Sequence, residues 1–171
     1  TPSSKLQFWT RFPAIKLQET RMLAELETLS DPDMTRQLHA LMLDPSAPSP
    51  SVEAILHAIL PAKFIDHTHT DAIVTLSNNP RGAPILAEIF PDCLILPYIM
   101  PGFILARQVN EAIKHHDPDQ YKGIILIHHG VFTYSDNAKF AYENMIELVS
   151  RAEAYIAAKG ITTLATARCK V

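Results

Sequence analysis

Two short histidine motifs offer the clearest chemistry in this sequence. His67 and His69, separated by one residue, follow the strand-like run 62–66, and His128 and His129 follow the apolar run 124–127. Side chains two residues apart on a β-strand project from the same face, so His67 and His69 can offer two nitrogens to one metal ion. Three neutral imidazoles with a fourth position left open are a common ligand set for catalytic zinc. The sequence therefore predicts a metal-dependent enzyme.

The choice between His128 and His129 follows from strand geometry. Consecutive residues on a strand point to opposite faces, so at most one of these two can join His67 and His69. We expect Gly130 to end the strand, which leaves His129 nearer its open end, and we predict His129 as the third ligand. His128 is then structural or lies behind the ligands. The alternative for His67 and His69, one core and one surface histidine, is disfavoured because both share a face and a core would need partners for both.

Glu53, His57 and Tyr98 are further candidates, each with a structural alternative. Glu53 follows a proline-rich loop and falls in the first turn of a predicted helix, where a carboxylate is commonly stabilised by the helix dipole. Spacing alone favours that structural role. His57 lies four residues on, on the same helix face, and could hydrogen-bond Glu53 or simply line the helix. Tyr98 lies in a loop after a predicted strand, a place where ligand-facing groups are as common as packing groups.

Composition limits the class of protein. A chain of 171 residues with 47% hydrophobic residues is large enough for one folded domain. A net charge of -3 without a basic stripe argues against nucleic-acid binding. The apolar stretches fall short of the roughly 20 residues that span a membrane. Cys93 and Cys169 lie in unlike contexts, which favours reduced thiols and a cytoplasmic protein, with Cys93 as a small buried residue.

Strands separated by helices predict an α/β layered domain. Apolar periodicity and capping residues predict helices over residues 16–29, 32–43, 52–60, 71–76, 84–90, 102–116 and 138–159. Short apolar runs predict strands over residues 64–67, 93–96 and 123–128, the last buried on both faces. We expect a turn and helix cap at 133–136, and a strand or linker at 161–171.

Four segments, in this order along the chain, resemble the class II aldolase and adducin family. They are PSVEAILH (50–57), IDHTHTDA (65–72), LPYIMPG (96–102) and HHG (128–130). Segments 29–34, 43–48 and 147–155 are similar to the rhamnulose-1-phosphate-aldolase-like half of bifunctional aldolase/short-chain dehydrogenase proteins. The likeness covers about residues 12–156.

The resemblance implies zinc, or another divalent metal, on His67, His69 and His129, with Glu53 as the acid/base carboxylate. It also implies a three-layer α/β fold with a central sheet flanked by helices, and a homo-oligomer that is commonly a tetramer. The implied reaction is reversible aldol cleavage of a phosphorylated ketose such as rhamnulose 1-phosphate, which yields dihydroxyacetone phosphate and an aldehyde.

The likeness is incomplete at one place. The family's glycine-rich phosphate-binding segment lies upstream of the matched region, and none of the five glycines of this chain forms such a loop. We therefore expect residues 1–160 to be a partial class II aldolase-like domain of a longer protein, and residues 161–171 to be a tail or linker. A short-chain dehydrogenase domain elsewhere in the parent protein is left open.

Two alternatives to an aldolase remain open. Related enzymes use the same histidines and glutamate for epimerisation or dehydration of sugar phosphates. A non-catalytic, adducin-like interaction domain would instead have no need of His67, His69 and His129 together, so bound zinc would weigh against it.

Overall fold

The computed structural model describes residues 12–160, which divide into two units. The first comprises residues 12–61 and 99–118, and the second comprises residues 62–98 and 119–160. In chain order the elements are α1 (Leu17–Leu23), α2 (Asp31–Ala40), α3 (Ala54–Ile59), β1 (Phe64–Thr68), α4 (Asp71–Ser77), α5 (Gly82–Ile89), β2 (Cys93–Leu96), α6 (Phe103–His115), β3 (Gly123–Leu126), β4 (Gly130–Ser135) and α7 (Ala138–Ala158). The predicted α/β class is confirmed. The predicted tail at 161–171 lies outside the described residues.

The first unit contains α1, α2, α3 and α6. Ser30 caps α2, because its Oγ accepts a hydrogen bond from the Asp33 N–H at 3.2 Å. The neighbouring Asp31 carboxylate accepts the Phe103 N–H at 3.1 Å and so ties α2 to the start of α6. Gly102 precedes α6 with φ 137°, and a β-carbon there would meet the Asp31 carboxylate at 2.7 Å. This approach requires glycine.

Helix α1 is shorter than predicted. It ends at Leu23 rather than at residue 29. Its last carbonyls are taken by tight bonds between residues three apart, Ala24 N–H to Arg21 O and Glu25 N–H to Met22 O. The Asn110 side chain then holds the Glu25 carboxylate at 2.9 Å, which draws the chain away from a helical path. Tertiary contacts therefore override the apolar spacing.

The second unit is built on a four-stranded mixed sheet in the order β1-β4-β3-β2. Strand β4 pairs antiparallel with β1 on one side and with β3 on the other, and β2 pairs parallel with β3. All four residues of β3 are buried, which confirms the predicted burial of this strand on both faces. Helices α4, α5 and α7 pack in the same unit around a core that holds Ile73, Leu86, Phe90, Ile125, Val131 and Leu148.

The prediction for residues 123–136 was wrong in two places. The strand predicted over 123–128 ends at Leu126, and residues 127–129 form a turn. Gly130 does not end a strand but begins β4, and this strand occupies the region predicted as a turn and helix cap. The Val131-Phe132-Thr133-Tyr134 stretch is β-branched and aromatic, so it pairs well on a pleated surface.

Cys93 is a buried residue of the core, as predicted, and is 7% exposed. Burial raises the pKa of its thiol to about 12, which leaves it protonated and unreactive. Cys169 lies outside the described residues. Among residues 12–160, no helix combines the length and the apolar character needed to cross a membrane.

An ion-pair network ties α7 to the loop before β2. Arg151 donates to both carboxylate oxygens of Asp92, at 2.6 and 2.8 Å, and also to Glu147, which Lys122 contacts at 2.7 Å. The hydrogen bonds from Arg151 are the main cause that lowers the pKa of Asp92 below its ordinary value of 3.8. The charged carboxylate is therefore favoured in the folded state, and its contribution to stability is lost as pH falls through the lowered pKa.

We predict that Asp92→Asn lowers the free energy of unfolding at pH 7 by about 1–3 kcal/mol, because hydrogen bonds to a charged group are lost. Urea unfolding at several pH values tests this, and the difference from the unchanged protein should shrink as pH falls below 3.8. Glu143→Gln is the control, since Glu143 pairs with Lys139 on the exposed surface of α7 and its loss should cost under about 1 kcal/mol. An Asp92→Asn difference that does not vary with pH would contradict the assignment.

Candidate metal centre

Strand β1 carries His67, and antiparallel pairing sets its neighbours. His67 lies opposite Phe132 of β4, and its ring stacks on the Phe132 ring with centroids 3.9 Å apart and planes 14° apart. Its Nδ1 lies 3.0 Å from the carbonyl oxygen of Val131. Because a carbonyl only accepts, Nδ1 carries the proton and the lone pair is on Nε2. Stacking and hydrogen bond together fix the orientation of the ring.

His69 lies one residue beyond the end of β1 and is exposed. Its Nε2 lies 2.8 Å from Nε2 of His67, so the two nitrogens point at each other as the predicted shared face requires.

His129 completes the cluster from the turn between β3 and β4. It is 9% exposed, and its backbone N–H donates to Leu126 O at 3.1 Å. Its ring centroid lies 5.4 Å from that of His67 and 4.7 Å from that of His69. Each of the three histidines offers a ring nitrogen within 4.8 Å of the others'. Neutral imidazoles so placed are compatible with one divalent metal ion, whose nitrogen ligands lie about 2 Å away.

Residues 20–156 match the family model described as Class II Aldolase and Adducin N-terminal domain. The chain belongs to the class II aldolase and adducin family. This class II aldolase-like chain carries a histidine cluster that is compatible with a divalent metal ion. The match spans His67, His69 and the turn that carries His129.

Two relatives are similar to most of this chain. A curated protein of Bacillus subtilis (strain 168), "Uncharacterized oxidoreductase YuxG", is 32% identical over 146 residues, which are 85% of this chain and 21% of that protein. The N-terminal class II aldolase domain of a conserved protein from Thermoplasma acidophilum is 40% identical with a TM-score of 0.77, over 85% of this chain and 66% of that one. The chain thus spans about a fifth of the curated relative.

A sugar-phosphate aldolase from Thermotoga maritima shares the fold at 19% identity and a TM-score of 0.53. The likeness covers 72% of this chain and 60% of that one. At this identity it bears on the fold alone.

Glu53 lies in the first unit, half-buried at the N-cap of α3. The predicted helix start at residue 52 was wrong, because α3 begins at Ala54. Ser51 Oγ accepts the Glu53 N–H at 3.2 Å in the polar turn that precedes the helix. The role of Glu53 as the acid/base carboxylate stays a prediction.

The remaining candidates differ in their surroundings. His57 is an exposed residue of α3. His128 is exposed, and its ring contacts Asn78 and the edge of the Tyr98 ring, whose centroid is 5.7 Å away. Tyr98 is 51% exposed. The argument that His128 and His129 alternate on a strand was wrong, because both lie in the turn at 127–129. The turn instead places the two rings beside different neighbours, His128 beside Asn78 and His129 beside His69.

Sequence reasoning missed two supports of the histidines, Val131 and Gly130. The Val131 carbonyl holds His67 because β4 pairs with β1. A β-carbon on Gly130 would lie 2.5 Å from Thr68 O and 2.8 Å from the His69 ring. The strand-forming composition of 131–134 would have revealed β4.

We predict that Gly130→Ala displaces the β1 end and lowers the free energy of unfolding by about 1–3 kcal/mol through overpacking. Imidazole ¹⁵N-correlated NMR spectra should show shifted His67 and His69 ring resonances. Gly123→Ala is the matched control, since it crowds the Phe132 backbone and Leu148 instead. It should lower stability while leaving the His69 ring unshifted. Unchanged ring resonances in Gly130→Ala would contradict the close approach.

Proposed function

We propose that this chain is the catalytic domain of a zinc-dependent class II aldolase. It would cleave a phosphorylated ketose of the rhamnulose 1-phosphate kind to dihydroxyacetone phosphate and an aldehyde. The observation that carries the proposal is the convergence of three imidazoles from β1 and the β3–β4 turn in a domain of this family. A second copy of the chain as partner, in a homo-oligomer, is part of the same proposal and rests on the resemblance alone.

His67, His69 and His129 would hold the metal. Their chemistry fits a borderline-soft divalent cation, because neutral imidazole nitrogens are preferred ligands of zinc. The hydrogen bond from His67 Nδ1 to Val131 O supports this, since such bonds orient a ligating ring and raise its basicity. When bound, the cation would act as a Lewis acid toward the ketone oxygen of the substrate.

Glu53 would move the proton that the reaction requires. In the cleavage direction, a base takes the proton from the hydroxyl group beside the breaking carbon–carbon bond, and the aldehyde leaves. The proton then returns to the carbon of the dihydroxyacetone phosphate half, so the reaction is balanced without a redox cofactor. A positioned carboxylate can serve both steps. The oxidoreductase name of the Bacillus relative belongs to a protein of which this chain matches 21%, and a dehydrogenase domain in the parent protein stays a prediction.

We predict that His67→Ala, His69→Ala and His129→Ala each lose stoichiometric zinc, because two imidazoles hold the ion less tightly than three. Elemental analysis of purified protein after dialysis measures the metal content. His39→Ala is the control, since His39 is an exposed residue of α2, and should keep the full complement. Retention of zinc by all three variants would refute the ligand assignment and leave the non-catalytic interaction domain as the better reading.

We predict that Glu53→Gln keeps its zinc and lowers kcat by about 10²–10⁴-fold, the usual contribution of acid–base catalysis. Release of dihydroxyacetone phosphate from candidate ketose phosphates, measured by a coupled reduction, gives the rate. Product identity separates cleavage from epimerisation or dehydration at the same site. Full turnover in the metal-loaded Glu53→Gln protein would contradict the proton role.

A further inference from the structure

His128 adopts a backbone conformation that few side chains favour. Among residues 12–160, it is the non-glycine residue with positive φ, at 60°. In this left-handed region the β-carbon approaches the following carbonyl oxygen, which disfavours every residue except glycine and, to a lesser extent, Asn, Asp and His. Such a conformation persists only where the surroundings hold it.

Two side chains at the end of α4 hold His128 in place. The His128 N–H donates to Ser77 Oγ at 3.1 Å, and Ser77 is 1% exposed and donates in turn to Val74 O. The His128 ring lies with Nδ1 2.6 Å from Asn78 Oδ1. Because an amide oxygen only accepts, Nδ1 carries the proton. Backbone and ring of His128 are thus both tied to the same helix end.

The residues on either side of His128 are held by backbone hydrogen bonds to other parts of the same unit. The Ile127 N–H donates to Leu96 O at 3.1 Å, at the end of β2. Leu126 pairs with Gly130, so three residues must reverse the chain between β3 and β4. In so short a turn the dihedral angles of the central residue decide where the following side chain points. That following residue is His129.

We infer that His128, clamped by Ser77 and Asn78, is a positioning residue that presents the His129 ring to His67 and His69. The inference rests on the proposed function, because its consequence is tight binding of zinc by the three imidazoles. His128 would not bind the metal itself, since its own ring is directed to Asn78. Residues of this kind, which fix a ligand from behind, commonly change metal affinity by about 10- to 100-fold.

Zinc affinity, measured by competition with a chromophoric chelator, tests the inference. Asn78→Ala should raise the Kd for zinc about tenfold or more, while the metal-free protein keeps its fold because Asn78 is exposed. Asn79→Ala is the matched control. Asn79 is the next residue, and its side chain accepts from the Arg81 N–H rather than from His128. Its Kd should equal that of the unchanged protein.

Substitutions at His128 test whether zinc binding depends on the backbone conformation of this residue. His128→Asn lacks the ring bond to Asn78 but tolerates positive φ, so it should bind zinc about as weakly as Asn78→Ala. His128→Val should bind it still more weakly, because a β-branched residue does not tolerate positive φ. The double variant Asn78→Ala/His128→Gly should have the same Kd for zinc as His128→Gly alone, because Asn78 acts through the His128 ring.

The outcomes distinguish this inference from the proposed function. If His129→Ala loses zinc while Asn78→Ala and His128→Val keep the original Kd, the positioning role is overturned and the metal site stands. If His129→Ala binds zinc as tightly as the unchanged protein, the metal site and the positioning role both fail. Weakened zinc binding in Asn78→Ala and His128→Asn, still weaker binding in His128→Val and unchanged binding in Asn79→Ala together establish the role.

Discussion

The register between β1 and β4 is the constraint on which the histidine cluster depends. His67 lies opposite Phe132, and Thr68 lies opposite Val131. A slip of one residue would turn every β1 side chain to the other face of the sheet, because side chains alternate along a strand. His67 would then lose both the Phe132 ring and the Val131 carbonyl. The position and the contacts of the His67 ring therefore depend on backbone pairing.

Several features of β4 make that register hard to change. The strand pairs on both sides, so a slip would break two ladders at once. Val131 is fully buried in the core with Ile125 and Leu148, and moving it would expose apolar area or leave a void. Thr133 donates from its buried hydroxyl to Ala141 O at 2.9 Å, which fixes β4 along its length against α7. A misplaced register would leave this hydroxyl buried without that acceptor.

Features that depend on neighbouring residues in the chain were predicted from the sequence, whereas features that depend on contacts between distant residues were not. Strand β2, at 93–96, was predicted with its observed bounds, and the shared face of His67 and His69 follows from strand periodicity alone. The end of α1 was misjudged, because the contact that terminates it comes from Asn110, 85 residues away from Glu25. The choice of His129 over His128 rested on strand alternation and on Gly130, whereas both histidines lie in a turn whose central residue, His128, has a positive φ. That conformation depends on Ser77 and Asn78, 51 and 50 residues earlier, which no local pattern reveals.

The three rings of the cluster also differ in their exposure to solvent, and the difference bears on what the cluster can do. His129 is buried, His67 is half-buried and His69 is exposed.

Structural zinc sites are closed by four protein ligands, whereas catalytic sites use three and leave a position open. Among the described residues of the second unit, the cluster offers three imidazoles, and one of them meets solvent. Val131 and Phe132 orient the half-buried His67 ring, whereas the His69 ring lies open to solvent. A fully buried cluster would lack that access, and a fully exposed one would lose more side-chain entropy when its rings were ordered. The graded burial of the three histidines therefore suits a site that must be both rigid and open.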